Sequence, residues 1–173
     1  MYRPLLLEGS WDHTTFPLEE LQRVVLANSY EIVGYLSAKK KMVKLVSEND
    51  IESKSQTHVK FKIKMPSDKS YNIQFHSHPR IIDIDYLNFP DALTAMLNYH
   101  LGFKYFVICG LKNVGIFTIK KPIPYKQLSL IRDDFFAQGA PRDALIDKYK
   151  DYINGKSIQA KLMRPYEDLL KLK

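Results

Sequence analysis

The chain has 173 residues, 45% hydrophobic and 26% charged, a formal net charge of +7 and one cysteine, Cys109. That is one domain of ordinary globular material, long enough to bury a core without staples. A lone cysteine excludes a disulfide framework and a cysteine-based zinc finger, and no apolar run reaches the ~20 residues of a membrane-crossing helix. The start "MYRPLLLEGSWD" has an apolar triplet too short for a signal-peptide core, so the expected setting is a reducing one, cytoplasmic or nuclear. Many of the basic residues are lysines alternating with apolar residues, as in "VKFKIKM", which reads as a solvated sheet face. Arginines are few and scattered, so no specific nucleic-acid partner is expected.

In chain order, "FPLEELQRVVLANS" (Phe16 to Ser29) predicts a helix. Pro17 suits its first turn, Glu19 and Glu20 sit near its positive end, and Leu18, Leu21 and Val25 repeat at helical spacing. "YEIVGYL" (Tyr30 to Leu36) predicts a strand with a glycine where backbones approach closely, and "KMVKLVSE" a second strand. "NDIESKSQT" reads as a polar loop. "HVKFKIKM" (His58 to Met65) alternates, and so does "YNIQFHSH", with Tyr71, Ile73 and Phe75 on one face and Gln74, His76 and His78 on the other.

A helix then runs over "PDALTAMLNYHLG" (Pro90 to Gly102), closed by glycine. "KYFVICG" and "VGIFTIKK" predict two strands. From Pro122 onward the pattern reads helical: "YKQLSLIRDDFFAQ", "PRDALIDKYKDYI" and "SIQAKLMRPYEDLLKLK", the last kinked or ended at Pro165. The sum is an α/β domain with a curved, mostly antiparallel sheet flanked by helices, and a helical C-terminal segment (122–173) packed on the core (1–121).

The chemistry concentrates in "NIQFHSHPRIIDIDYLNFPD". His76 and His78 lie two apart on a strand, so both imidazoles leave one face and can share an ion. Asp83, Asp85 and Asp91 are candidate third ligands, with Asp91 fixed in the first turn of a helix. The same residues also fit a plainer reading: strand histidines that pack, and an Asn88 N-cap with an acid three residues on. His13, His58 and His100 have no partners by spacing, and Cys109 in "YFVICG" reads as core. Ser77, between the histidines, points to the opposite face.

"HSHP" followed by an aspartate opening a helix, with "YEIVGYL" upstream after a helix, resembles the JAMM (MPN+) metalloproteases over roughly Leu18 to Lys120. That resemblance implies an MPN, cytidine-deaminase-like domain that cleaves ubiquitin or ubiquitin-like conjugates, with a further MPN-type protein as a possible partner. It implies His76, His78 and Asp91 as Zn2+ ligands and Glu31 as the general base that later protonates the leaving amine. The family serine is absent. Strict spacing puts Tyr86 and Phe89 at the serine and aspartate positions, whereas a loop two residues longer puts Asn88 and Asp91 there. Asn88 can then donate to an oxyanion as asparagine does in other hydrolases, and the longer loop leaves Asp85 open as an alternative ligand. The other implied role is an MPN scaffold that assembles proteins with little or no catalysis.

Overall fold

A computed structural model describes residues 15–46, 51–54, 59–61, 64–136 and 157–173. Strand β1 (Thr15–Pro17) passes through a 3-10 turn (Leu18–Glu20) into α1 (Leu21–Ala27). Then come β2 (Val33–Ser37), β3 (Met42–Leu45), β4 (Ile51–Lys54), β5 (Val59–Phe61) and β6 (Ile73–Ser77). Helix α2 (Phe89–His100), β7 (Tyr105–Cys109), β8 (Val114–Ile119), α3 (Tyr125–Phe136), β9 (Ile158–Arg164) and a 3-10 turn (Tyr166–Lys171) complete the order. Seven strands form one sheet, β1-β3-β2-β6-β7-β8-β9, while β4 and β5 pair apart from it. Every neighbouring pair is antiparallel except β6 and β7. The α/β class and the mostly antiparallel sheet read from the sequence therefore hold.

The central strands are buried on both faces, because helices cover both. On one face Leu21, Val24 and Val25 of α1, with Leu169 of the last turn, pack on Leu36, Ile73, Phe75 and Val107. On the other, Ala92, Ala95 and Met96 of α2 and Leu128 and Ile131 of α3 pack on Phe106, Ile108 and Phe117. Alternation along β6 thus divides residues between two cores rather than between core and solvent. Tyr71 lies before the strand begins, so it escapes the alternation and joins Val33, Tyr35 and Phe103 in a third cluster.

Three expectations need correction. The helix expected from Phe16 starts later: Phe16 pairs with Val43 in the sheet, and Pro17 is extended at φ −61° and ψ 141°. The loop expected over "NDIESKSQT" contains β4. The C-terminal segment is not helical throughout, since residues expected as the last helix form β9 on the edge of the sheet against β8. Ile158 and Leu162 repeat at a helical interval, and an edge strand need bury only part of one face, so the alternating signal is missing. The helix expected over 141–153, His13 and His58 lie outside the described residues, as do Lys62 and Ile63 of the lysine-alternating stretch "VKFKIKM".

Two glycines act as anticipated. Gly102, at φ +102°, ends α2 in a conformation that a side chain disfavours. A Cβ on Gly34 would stand 2.4 Å from the Lys44 carbonyl oxygen and 2.9 Å from Leu45 Cα, so β2 and β3 approach too closely for any side chain. Gly34→Ala is expected to lower stability by about 1–3 kcal/mol through overpacking. A shift in the midpoint of urea unfolding reads this, and an unchanged midpoint would show that the strands can separate freely.

Candidate metal centre

β6 carries the histidines to the middle of the sheet and β7 guides them off its end. The His78 N–H donates to the Cys109 carbonyl at 2.8 Å, extending the parallel pairing one residue past the strand. On the β2 side, Ser77 N–H donates to the Ile32 carbonyl at 2.9 Å, and Ser77 Oγ accepts from Ile32 N–H at 2.9 Å. This double link fixes the segment that carries Glu31, just before β2 begins.

The loop after Pro79 is tied down by long-range bonds. Leu111 and Lys112 N–H donate to the Ile81 and Ile82 carbonyls, each at 2.9 Å, and Met163 N–H of β9 donates to the Ile84 carbonyl at 3.0 Å. Asn113 completes the clamp: its Oδ1 accepts from Ile84 N–H at 2.7 Å and its Nδ2 donates to Asp83 Oδ1 at 2.7 Å. Helix α2 then starts at an Asn88 cap, whose Oδ1 accepts from Asp91 N–H at 2.8 Å. The cap holds Asp91 in the first turn, facing the end of β6.

Three side chains converge there, the carboxylate through both of its oxygens. His76 Nε2 and His78 Nε2 are 3.2 Å apart, His76 Nε2 is 3.2 Å from Asp91 Oδ1, and His78 Nε2 is 3.2 Å from Asp91 Oδ2. A tetrahedral ion with bonds of about 2.0–2.1 Å spaces its donors by about 3.3 Å. A proton serves this triangle poorly, because an imidazole nitrogen carries one hydrogen or one lone pair and addresses one neighbour at a time. A single cation at the centre serves all three. Glu31 stands behind, with Oε1 3.9 Å from His78 Nδ1, beyond hydrogen-bond reach. Glu31, His76 and His78 also offer one ligand atom each within 4.8 Å of one another, so the group can bind a metal ion with or without Asp91. The tighter triangle favours Asp91 as ligand and Glu31 as its neighbour.

The charges agree with this division. Burial alone would raise the Asp91 carboxyl, but the charge and hydrogen bonds of the two imidazoles outweigh it and hold Asp91 well below the usual carboxylate range. Burial pushes the Glu31 carboxyl up to about 8, with His78 opposing and Asp91 adding to the rise. Glu31 Oε2 is buried and has no hydrogen-bond partner among the described residues. Such an oxygen fits a site that completes itself with a small polar ligand.

The other candidates are held differently, although Asp83, Asp85 and Asn88 line one cleft with His78 and Asp91. Asp85 is exposed, and Asp83 is held by Asn113. Asn88 is the helix cap, so its carbonyl oxygen is committed. His100 Nε2 lies 2.6 Å from the Ile123 carbonyl, and its ring meets Tyr99 and Tyr125 edge-on. Cys109 is fully buried, and burial pushes its thiol up to about 12, so it has no thiolate to offer. A cleft beside the ligands is lined by His78, Ile81, Tyr86, Asn88 and Asp91, among others. Sequence reasoning did not assign parts to Ser77 and Asn113, whose partners lie 45 and 29 residues away, beyond any local signal.

Comparison with family models, curated proteins and solved structures finds no match. Among the described residues no helix is long and apolar enough to cross a membrane.

If Asp91 completes the triangle, Asp91→Ala weakens zinc binding by at least about 10-fold while Asp85→Ala leaves it unchanged. Competition against a chromophoric chelator measures both. The reverse ranking would assign the third ligand to Asp85.

Proposed function

We propose that the chain is a zinc-dependent isopeptidase of JAMM type that releases ubiquitin or a ubiquitin-like modifier from its conjugates. The single observation that carries this is the 3.2 Å triangle of two imidazoles and one carboxylate beside a buried Glu31 oxygen that has no partner among the described residues. Two histidines and one aspartate in that arrangement suit zinc, with a position left open. His76, His78 and Asp91 would hold the ion. When bound there it supplies a Lewis acid that polarises a carbonyl and makes water acidic near neutral pH.

The rest falls to the chain's own groups. The charge of an ion held beside Glu31 would oppose the burial that raises its carboxyl; as the carboxylate, its Oε2 would take a proton from the attacking water as the water oxygen adds to the amide carbon, and then deliver that proton to the leaving amine nitrogen as the C–N bond breaks. The products are a carboxylate and a free amine. Asn88 lines the cleft, and with its Oδ1 engaged by the Asp91 N–H its Nδ2 would be the donor left for a developing oxyanion. The cleft beside His78 and Asn88 is where the scissile bond would lie. The protein partners in this reading are the modified conjugate and, as in the resembling family, a second MPN-type chain.

One observation favours the scaffold reading as a second possibility: Asn88 is engaged as a helix cap where the family pattern has serine. The two readings separate in one assay. Zinc-loaded wild type is incubated with ubiquitin chains and with ubiquitin-like fusions, beside Glu31→Gln. Cleavage by the wild type that falls about 100–10,000-fold in Glu31→Gln at unchanged zinc content supports the isopeptidase. Zinc retained by both proteins with no cleavage by either would move the reading to the scaffold.

A further inference from the structure

Apolar packing holds α2 on the sheet, but it does not set where along β6 the helix stops. Ala92, Leu93, Ala95 and Met96 meet Phe106, Ile108 and Phe117 through contacts without direction. A ligand triangle tolerates little slippage, so something directional must fix the height of Asp91 over the histidines.

Buried in this interface is an amide pair that the proposed chemistry does not use. Asn98 Nδ2 donates to Gln74 Oε1 at 2.9 Å, and Gln74 Nε2 donates to the Phe75 carbonyl at 3.0 Å. Gln74 is 0% exposed and Asn98 1%. Asn98 Oδ1 is buried without a hydrogen-bond partner among the described residues. A leucine pair would avoid that cost, so the amides add little to stability as such.

Their placement matches the metal centre. Gln74 precedes His76 by two residues on β6, so both leave the same face. Asn98 follows Asp91 by seven residues on α2, about two turns, which returns it to the same side of the helix. The Gln74–Asn98 bond and the His76–Asp91 contact are thus two rungs of one strand–helix interface. Asn98 is also tied at the far end of the helix, where its carbonyl accepts from Phe103 N–H at 3.0 Å.

We propose that Gln74 and Asn98 are positioning residues that set the register of α2 on β6 and thereby hold Asp91 at ligand distance from His76 and His78. This rests on the metal centre but not on the isopeptidase reading. Neither residue touches the ion or the reacting atoms. The pair acts by directional bonding in a contact that would otherwise slide.

The test is zinc affinity of the full chain, by chelator competition at pH 7, together with the thermal midpoint of the zinc-free protein. The Gln74→Met/Asn98→Leu double variant removes both amides at similar volume. It is expected to keep or raise the zinc-free midpoint while binding zinc about 10–100-fold more weakly, the range found when groups that orient metal ligands are lost. The exchange variant Gln74→Asn/Asn98→Gln keeps the combined length and can re-form the bond, so it is expected to restore wild-type affinity. Wild-type affinity in a folded double variant overturns the proposal. If the double variant does not fold, the exchange variant decides: folded with wild-type affinity supports the register role, folded with weakened affinity overturns it. A folded wild type that takes no zinc overturns the metal centre itself, and the inference with it.

Discussion

Strands β6 and β7 run parallel, so the chain between them cannot turn back as a hairpin and must cross the sheet. That crossing leaves from the C-terminal end of β6 and returns through α2. Its first turn therefore begins close to where β6 stops, and residues from the strand end and the helix start are brought together. Open α/β sheets commonly bind ligands at the carboxyl ends of such strands. Here the strand end supplies His76 and His78, and the helix start supplies Asp91. The antiparallel neighbour β2 adds Glu31 from the other side, through the Ser77–Ile32 link. One parallel pair in an otherwise antiparallel sheet thus determines where the candidate metal centre sits.

The convergence is expensive for an uncharged protein interior. Two histidines and two carboxylates lie in a mostly buried cluster, and the pull of the imidazoles outweighs the cost of burial for Asp91 alone. Glu31 carries the strain instead, as a raised carboxyl with one oxygen unpartnered among the described residues. A dication between the donors changes this balance, stabilising the folded chain that presents the site over the unfolded chain that does not. The surroundings are built to hold the geometry: the Asn88 cap, the Asn113 clamp on the loop and the close β2–β3 approach at Gly34 all restrict movement.

Much of this was legible from local pattern. The period of two in "YNIQFHSH" put Gln74, His76 and His78 on one face, the cap signal at Asn88 placed the start of α2, and Gly34 marked the close approach. What was not legible depends on distant partners. The sequence left Asp85 and Asp91 both open because loop length alone does not say where a loop goes. Asn113 and Met163, from the β7–β8 turn and β9, fix the course of the loop at Ile84. β9 itself was hidden because an edge strand with one firmly buried residue, Ile158, shows no alternation. The burial of both faces of β6 also escaped, since a strand between two helical layers can carry polar residues only where another buried polar group answers, as Asn98 answers Gln74.

X-ray absorption at the zinc edge of the zinc-loaded chain tests the central claim most directly, because it reads the ion's neighbours themselves. The account predicts a four-coordinate shell of light donors at about 2.0–2.1 Å with the multiple-scattering signature of two imidazoles. A six-coordinate shell of oxygens without imidazole scattering, or a chain that retains no zinc, would contradict it.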